Sequence, residues 1–451
     1  MAKKNLHGLY QVDNPVREPK NRVLTAARIF TGRRGGWITD GAVVLTGRVI
    51  AWVGKVSDIP SEYADYPVEA HPHATITPGF VETHAHLGGF AYNFDPDVPD
   101  PERHDQGWHA LASLTPARQL ASVGVTTVQS LGARNFADVV LREAIDQHLV
   151  QGPRIIASGP QLTTSGGHSW ITGGEVDSIT EIKKKVRDHH KAGVDVIKVM
   201  ATGGFGTFGS APWNAQFTTE ELSALVEEAH RLGKRTAAHA HGTQGMRRAA
   251  EAGIDYIAHA SFISEDGITQ FDPALADYIA EKGIYVDICS PPSYPAVEGE
   301  TATPRAKELF DHGVKIVMGH DIGAVFPPSA YLFGMQQLVQ SGLPTEEVLI
   351  AATSRGAAAV GLAGVVGVVE PGYEADLLVI DGDPRENIGA VANVEEVIIK
   401  GETFDRDPVE PFNFSQWPTD GSLTLKPEAS GLAARTEWIA RLNRVASHPT
   451  D

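Results

Sequence analysis

The sequence has little cysteine, an excess of negative charge and no long apolar run, and each of these properties excludes a class of protein. Cys289 is the only cysteine among the 451 residues, which excludes an internal disulfide framework and a zinc site made of several cysteines. Lysine and arginine total 38 against 56 aspartate and glutamate residues, so the formal charge of −18 argues against binding to nucleic acid.

A secretory signal and a membrane helix are not expected either. No window holds the roughly 18 uncharged apolar residues of a membrane helix. No apolar stretch follows the basic start of the chain, as a secretory signal would require. We therefore expect a cytoplasmic protein with neither nucleic acid nor a membrane as a partner.

The composition that remains is that of a folded globular protein. Hydrophobic residues make up 42% and charged residues 21%, which supplies enough apolar surface for a large core. Residues 22–77 contain short apolar runs broken by turns, as in RVLTAARIFTG and GAVVLTGRVIAWVG. This pattern predicts a small β-sheet at the start of the chain.

From Pro78 onward, short β-branched runs alternate with longer amphipathic ones, which predicts an α/β fold of parallel strands with helices outside them. A helix that ends at Gly193 and another over residues 219–233 support this alternation. Eight repeats over this length are typical of a (β/α)₈ TIM barrel. The strands are expected near residues 80–84, 125–129, 154–158, 196–199, 235–239, 256–259, 285–288 and 315–318.

After the barrel, the chain returns to strands and turns in GVVEPGYEADLLVIDGDP and EEVIIKGETF. This segment is expected to complete the first sheet, so that the N- and C-terminal segments form one small β-sandwich domain. The predicted boundaries are 1–77 and 367–410 for the two parts of this domain, 78–366 for the barrel, and 411–451 for a C-terminal extension with a helix near 432–445.

Polar residues at the ends of the barrel strands are the first candidates for a functional site, because such barrels carry their chemistry at the carboxyl ends of the strands. Imidazoles, a lysine and a carboxylate that meet at one rim are typical of a metal site. The candidates are His84 and His86 after the first strand, Lys198 in the fourth, His239 and His241 in the fifth, His259 in the sixth, and His320 and Asp321 after the eighth.

His84 and His86 are two residues apart, and residues with this spacing face the same side of a strand. Both can therefore bind one ion, although a His-x-His pair alone is a weak signal. His71 and His73 have the same spacing but enclose Pro72, so a turn or solvated loop is expected there rather than a metal site.

Lys198 lies between Ile197 and Val199 in a strand that is apolar on both faces. A buried ammonium group has a lowered pKa or a neutralising partner. The amine is then a base, a nucleophile, or a carbamate formed with CO₂ that bridges two metal ions. A salt bridge to a carboxylate on a neighbouring strand is the simpler alternative.

Two other signals favour purely structural explanations. Cys289, at the end of the predicted seventh strand, is expected to be a buried structural thiol, with a position facing the pocket as the alternative. His189 and His190 follow lysines on an amphipathic helix and are expected on its solvated face.

With these motifs in place, the sequence resembles the amidohydrolase superfamily, and within it the imidazolonepropionase-like and prolidase-like proteins and the molinate and phenylurea hydrolases. The resemblance covers roughly residues 22–400. It is carried, in order, by TPGFVETHAHL, SGGHSWITGGE, DVIKVMATGG, QFTTEELSALVEEAH, RTAAHAHG, GIDYIAHA, MGHD, ATSRGAAAVGL and EPGYEADLLVIDGDP.

The resemblance implies a binuclear metal centre whose two divalent ions are bridged by a carbamate that CO₂ forms on Lys198. Zinc is the expected metal, with manganese or cobalt as alternatives. The implied ligands are His84, His86 and Asp321 for the more buried ion, His239 and His259 for the second, and Lys198 for both.

It also implies the reaction, hydrolysis of an amide-type C–N bond of a small-molecule substrate by a hydroxide that bridges the two ions. Asp321 would take the proton of that hydroxide and pass it to the leaving amine. His241 would remain for catalysis through contact with the substrate. Further expected substrate contacts are His168, Phe205, Trp213, Tyr294 and His320.

Substrate and reaction class keep alternatives open. Dipeptides and N-acyl amino acids need a group for their free carboxylate, for which His241 and Arg355 are candidates, whereas carbamates, thiocarbamates and aryl ureas need an apolar pocket. A mononuclear deaminase or cyclic-amidine hydrolase is the alternative enzyme, and Lys198 distinguishes it, because such enzymes typically lack that lysine. A non-catalytic scaffold is disfavoured, because no ligand position is missing. Relatives are often multimers, so a homo-oligomer is expected.

Overall fold

The computed structural model describes residues 20–87, 105–205, 207, 209–265, 269–289, 305–323 and 326–412. The helix predicted near 432–445 and the predicted substrate contact Tyr294 lie outside these residues. Among the helices of the described segments, none is long and apolar enough to cross a membrane.

The described elements alternate between strands and helices through most of the chain. The strands are β1 (Arg22–Phe30), β2 (Trp37–Thr46), β3 (Val49–Lys55), β4 (Val68–Pro78), β5 (Phe80–Ala85), β6 (Val125–Ser130), β7 (Arg154–Ala157), β8 (Val196–Met200), β9 (Arg235–Gly242), β10 (Tyr256–Ile263), β11 (Tyr285–Val286), β12 (Lys315–Ile316), β13 (Leu377–Asp381), β14 (Val394–Ile399) and β15 (Glu402–Thr403). The α-helices are α1 (Gln106–Ser122), α2 (Ala137–Asp146), α3 (Ile179–Ala192), α4 (Thr219–Arg231), α5 (Thr243–Glu251), α6 (Pro273–Lys282), α7 (Ala306–Asp311), α8 (Ala330–Gln340), α9 (Thr345–Ala352) and α10 (Ser354–Ala359).

Strands β5 to β12 form a parallel barrel. They are hydrogen-bonded as two sheets, β5 to β7 and β8 to β12. Leu162, which follows β7, pairs with Val199 of β8, and Ala85 of β5 pairs with Ile322, which follows β12, so the ring of strands closes at both seams. The (β/α)₈ barrel predicted from the sequence is confirmed.

Strand β8 shows how the barrel places a lysine in its interior. All five residues of the strand are buried. Ile197 and Val199 pack outward into the core shared with the helices, whereas Val196 packs with Tyr256 and other residues inside the barrel. Because side chains alternate along a strand, Lys198 shares the inward face with Val196.

The helices begin and end where local chemistry satisfies their backbone groups. The Thr218 side chain accepts a hydrogen bond from the Glu221 amide, and the Glu221 carboxylate accepts one from the Thr218 amide, so a capping box starts α4. Helix α3 ends at Gly193, whose φ of 89° suits glycine, as predicted.

The N- and C-terminal segments share one small β-domain, as the sequence predicted. Its strands form a continuous seven-stranded sheet in the order β15-β14-β13-β4-β1-β2-β3. The sheet curls so that Val49 of β3 bridges Glu374, just before β13, and it encloses an apolar core that includes Leu24, Ile76 and Leu377.

His71 and His73 lie within strand β4 of this sheet, so the expectation of a turn or solvated loop was wrong. His71 is in register with Ala26 of β1. Pro72 is tolerated between the histidines because it lies beside the irregularity in the pairing of β1 and β4, between Ala26 and Arg28.

Candidate metal centre

Three of the predicted ligands meet where the first and last barrel strands end. His86 Nε2 lies 3.0 Å from Asp321 Oδ1, and His84 Nε2 lies 3.5 Å from the same oxygen. Their ligand atoms are all within 4.8 Å of one another, and all three residues are buried. This cluster, His84, His86 and Asp321, is called the first donor group below.

A second donor group contains His239, His241 and His259, whose ligand atoms also lie within 4.8 Å of one another. His239 Nε2 is 3.0 Å from the Gly203 carbonyl oxygen. A carbonyl only accepts hydrogen bonds, so Nε2 carries the proton and Nδ1 presents its lone pair. The rings of His241 and His259 stack with centroids 4.2 Å apart, so His241 lies beside the predicted ligands.

Lys198 is fully buried among these residues, and its Nζ makes no hydrogen bond to any described residue. Burial lowers its pKa to about 8, although the negative charges of Asp287 and Asp321 oppose this shift. The simpler explanation, a salt bridge, therefore has no partner in the described part of the chain. A buried amine without a partner needs a ligand or a chemical modification to satisfy it.

The protonation states of the donors suit a divalent cation. Burial lowers the pKa of His239 and His259 well below the ordinary value and that of His241 to about 3, so these imidazoles are neutral. Burial raises the pKa of Asp321, but the neighbouring His84 and His86 outweigh it and hold that pKa well below its usual range. Neutral imidazoles and an ionised carboxylate are the forms that bind zinc.

Two buried carboxylates beside the ligands were not found from the sequence. Glu82 Oε1 accepts hydrogen bonds from the amides of His84, at 2.7 Å, and His320, at 3.0 Å. Asp287 Oδ2 lies 3.2 Å from His84 Nδ1. Burial raises the pKa of Asp287, but the charge of His84 and other hydrogen-bond donors lower it to about 2. An acidic residue inside an apolar strand, as in FVETHAH and YVDIC, was the available signal.

Of the predicted substrate contacts, His168 and Phe205 lie against the second donor group, and Trp213 lies at the end of β9. The His168 ring lies 4.6 Å from that of His239, and Phe205 meets His241 edge to face at 5.0 Å. Trp213 lies against Gly242 at the end of β9, where an added Cβ would be 2.7 Å from the Trp213 carbonyl oxygen. His168 Nδ1 contacts Thr207 Oγ1 at 3.0 Å, and burial lowers the pKa of His168 to about 4.

Two other candidate substrate contacts, His320 and Arg355, interact with neighbouring residues. His320 is fully buried, with Nδ1 2.7 Å from Glu82 Oε2 and its ring 4.8 Å from that of Tyr331. This geometry supports a role in positioning, and its contact with substrate stays a prediction. Arg355 binds Glu347 at 2.6 Å and the Ile316 carbonyl at 3.2 Å, so both contacts hold it beside β12.

Cys289 is buried, and it also belongs to the site. Its Sγ lies 3.0 Å from His259 Nδ1 and 3.4 Å from His84 Nδ1. A further acidic group on the small sheet, Glu69 with His71 and Glu396, already surrounds a cation, because Arg22 Nη1 lies 2.8 Å from Glu69 and 2.9 Å from Glu396.

Comparisons with known proteins identify a family and several relatives of this chain. A sequence model of the amidohydrolase family matches residues 75–404. Ochratoxinase of Aspergillus niger is 27% identical over 412 residues, which cover 82% of this chain and 83% of that protein. Imidazolonepropionase of Nocardia farcinica is 25% identical over 364 residues, which cover 76% of this chain and 85% of that protein. The crystal structure of a Xaa-Pro dipeptidase with bound methionine in the active site superposes with a TM-score of 0.76 at 27% identity, covering 85% of this chain and 100% of that one.

Proposed function

The chain belongs to the amidohydrolase family, and on that premise we propose that it hydrolyses an amide-type C–N bond with two divalent metal ions. The family is generally metal-dependent, and its members are hydrolases of C–N bonds. The resemblance predicted from the sequence motifs is thereby confirmed. The number of ions, their identity and the substrate are the proposed part.

One observation carries the proposal of two ions. Lys198 Nζ is buried without a hydrogen-bond partner in the described residues, and its charge interacts with both donor groups. A carbamate on this amine would supply two anionic oxygens, one for each group. The proposed ligands are His84, His86 and Asp321 for one ion, His239 and His259 for the other, and carboxylated Lys198 for both.

Bound ions, zinc by preference and manganese or cobalt as alternatives, would supply Lewis acidity for a substrate carbonyl group and for a nucleophilic water near neutral pH. Asp321 is ionised and lies against two imidazoles of the first donor group. It is therefore proposed to accept a proton from the attacking water and to deliver it to the leaving amine. His241 and His168, both neutral, are proposed to hydrogen-bond the substrate.

The proposed substrates are dipeptides and N-acyl amino acids first, with carbamates, thiocarbamates and aryl ureas as the second class. The similarity to an ochratoxinase and a Xaa-Pro dipeptidase supports the first class. Phe205, which packs edge to face on His241, supplies an apolar surface that either class uses. A hydrolysis screen over both classes, with liberated amine as the signal, decides between them.

A mononuclear deaminase or cyclic-amidine hydrolase is the second candidate, and the similarity to imidazolonepropionase favours it. Such an enzyme has no use for a carboxylated lysine in β8. The placement of Lys198 between the donor groups therefore supports the binuclear hydrolase over this alternative.

The experiment compares metal content and activity in wild type and Lys198→Ala, both prepared with bicarbonate and excess zinc. We expect about two ions per chain in wild type, one or none in the variant, and loss of hydrolysis. Lys184→Ala is the matched control, because Lys184 is exposed on α3, where it pairs with Asp188. Wild-type stoichiometry and rate in Lys198→Ala would refute the bridging role.

A further inference from the structure

Two buried side chains that the proposed reaction does not use, Asp287 and Cys289, follow strand β11. Asp287 Oδ2 is 2.5 Å from the Tyr256 hydroxyl and 3.2 Å from His84 Nδ1. Its Oδ1 is 2.9 Å from the Cys289 amide nitrogen and 3.0 Å from Cys289 Sγ. Both carboxylate oxygens are thus engaged, deep in the barrel and next to the first donor group.

The direction of each hydrogen bond follows from what the groups can donate. A carboxylate at neutral pH only accepts, so His84 Nδ1 must carry its proton toward Asp287. The Cys289 thiol likewise donates its proton to Asp287 Oδ1. The sulfur lone pairs are then left for His259 Nδ1, 3.0 Å away, which must also be protonated to donate to them.

These assignments have the same consequence for both imidazoles. With the proton on Nδ1, the lone pair of His84 lies on Nε2, the atom that faces Asp321 at 3.5 Å. The same tautomer is set for His259, in the second donor group. The hydrogen-bond partner of the distal ring nitrogen fixes the tautomer and orientation of a metal-ligating histidine.

We propose that Asp287 and Cys289 form one positioning unit that holds His84 and His259 in their metal-binding tautomers and so couples the two ion sites. Asp287 acts on His84 directly and on His259 through the thiol of Cys289. The Tyr256 hydroxyl donates a hydrogen bond that holds the Asp287 carboxylate in place. The same hydroxyl lies 2.8 Å from Thr83 Oγ1. The inference rests on the proposed function, since it takes His84 and His259 as ligands of two different ions.

Space for this unit comes from Gly319. A Cβ at that position would lie 2.8 Å from the Asp287 Cβ and 2.9 Å from the His84 Cβ. The approach of Asp287 to His84 therefore depends on a glycine in the neighbouring strand connection. The contact between Asp287 and His84 thus depends on the backbone at Gly319 as well as on the two side chains.

The proposal predicts a graded response when apo-protein is titrated with zinc against a chromophoric chelator. Asp287→Asn is expected to weaken both binding steps about 10- to 100-fold, the range found when such partners of metal ligands are removed. Cys289→Ala is expected to weaken one step by a similar factor and to change the other by less than about threefold, since His84 keeps Asp287. Cys289→Ser restores a hydroxyl donor and acceptor, so it is expected to recover most of the lost affinity.

Asp138→Asn is the matched control for loss of a buried carboxylate. Asp138 accepts hydrogen bonds from the amides of Ser158 and Gly159 and contacts none of the proposed ligands. It is expected to lower the melting temperature while both zinc-binding steps keep their wild-type affinity. Circular dichroism and melting of each apo-variant identify any that fail to fold, and the zinc titration of whichever of Asp287→Asn and Cys289→Ala folds then decides the test.

Three outcomes would overturn the inference. Unchanged zinc affinities in both Asp287→Asn and Cys289→Ala would exclude the positioning unit while leaving the binuclear site intact. A thiolate-to-cobalt charge-transfer band in the cobalt-substituted wild type, absent in Cys289→Ser, would make Cys289 a direct ligand instead. Wild-type protein that binds no zinc at all would remove the proposed function and this inference with it.

Discussion

At the residue scale, Asp321 has two proposed roles, because it is both a proposed metal ligand and the proposed proton carrier. Its φ of 59° lies in the left-handed region, which costs energy for a residue other than glycine and is common at functional sites. Its carboxylate lies on His84 and His86 as a result of this turn. The backbone conformation of Asp321 and its two histidine neighbours thus together set the position of its carboxylate.

Asp321→Asn tests this role, because an amide keeps the shape of the side chain but does not accept a proton from water. We expect kcat to fall by about 10² to 10⁴ with zinc held at saturation, the range of general acid–base catalysis. Asp311→Asn, an exposed aspartate paired with Lys307, is the control and should keep the wild-type kcat. A kcat within tenfold of wild type in Asp321→Asn would show that another group moves the proton.

Residue spacing predicted the donors better than it predicted their neighbours. His84 and His86 follow from alternation along one strand, and Lys198 follows from a charge between apolar residues. Asp287 was missed because its partners His84 and Tyr256 lie on strands distant in the chain. Glu82 is only two residues from His84, but its other partner, His320, follows the last barrel strand. His189 was expected in solvent, yet its ring is buried, 2.7 Å from the Pro160 carbonyl, because the loop after β7 covers that part of α3; His190 is exposed as predicted.

At the scale of elements, the helix ends depend on short local signals. Thr218 and Glu221 exchange two hydrogen bonds at the start of α4. Thr218→Ala is expected to lower the free energy of unfolding by about 1 kcal/mol, the usual cost of losing an N-cap. Thr219→Ala changes the next residue, which makes no cap hydrogen bond, and should alter stability by under about 0.5 kcal/mol. Urea denaturation of both variants measures the difference, and equal effects would contradict the cap.

Strand ends were less predictable than helix ends. The sequence predicted strands over 285–288 and 315–318, but regular pairing covers only Tyr285–Val286 and Lys315–Ile316. Beyond those residues, Asp287 lies against Gly319. Strand β10 is also irregular, since its pairing with β9 shifts after His259, whose φ is 73°. Gly319 marks the end of β12, but no glycine or proline lies within β10, so the local sequence carried no signal for the irregularity at His259.

At the scale of the whole molecule, an ion cluster joins the small β-domain to the barrel. Arg154, at the start of β7, lies 2.5 Å from Glu374 and 3.4 Å from Asp376 of the small domain. Asp376 is almost fully buried, with 1% of its side chain exposed, so its charge depends on this partner. These ion pairs thereby join the small β-domain to the barrel at the end opposite the candidate metal centre.

Arg154→Met tests this connection, because it keeps much of the side-chain volume but leaves Asp376 without its main countercharge. The free energy of unfolding is expected to fall by about 3 kcal/mol, the typical effect of removing one partner of a buried ion pair. Arg33→Met is the matched control: Arg33 and Glu370 are both exposed, and their pair should contribute under about 1 kcal/mol. Zinc content should stay at the wild-type value in both variants, since neither residue contacts a proposed ligand. Loss of zinc from Arg154→Met would instead mean that the small domain helps to hold the metal centre in shape.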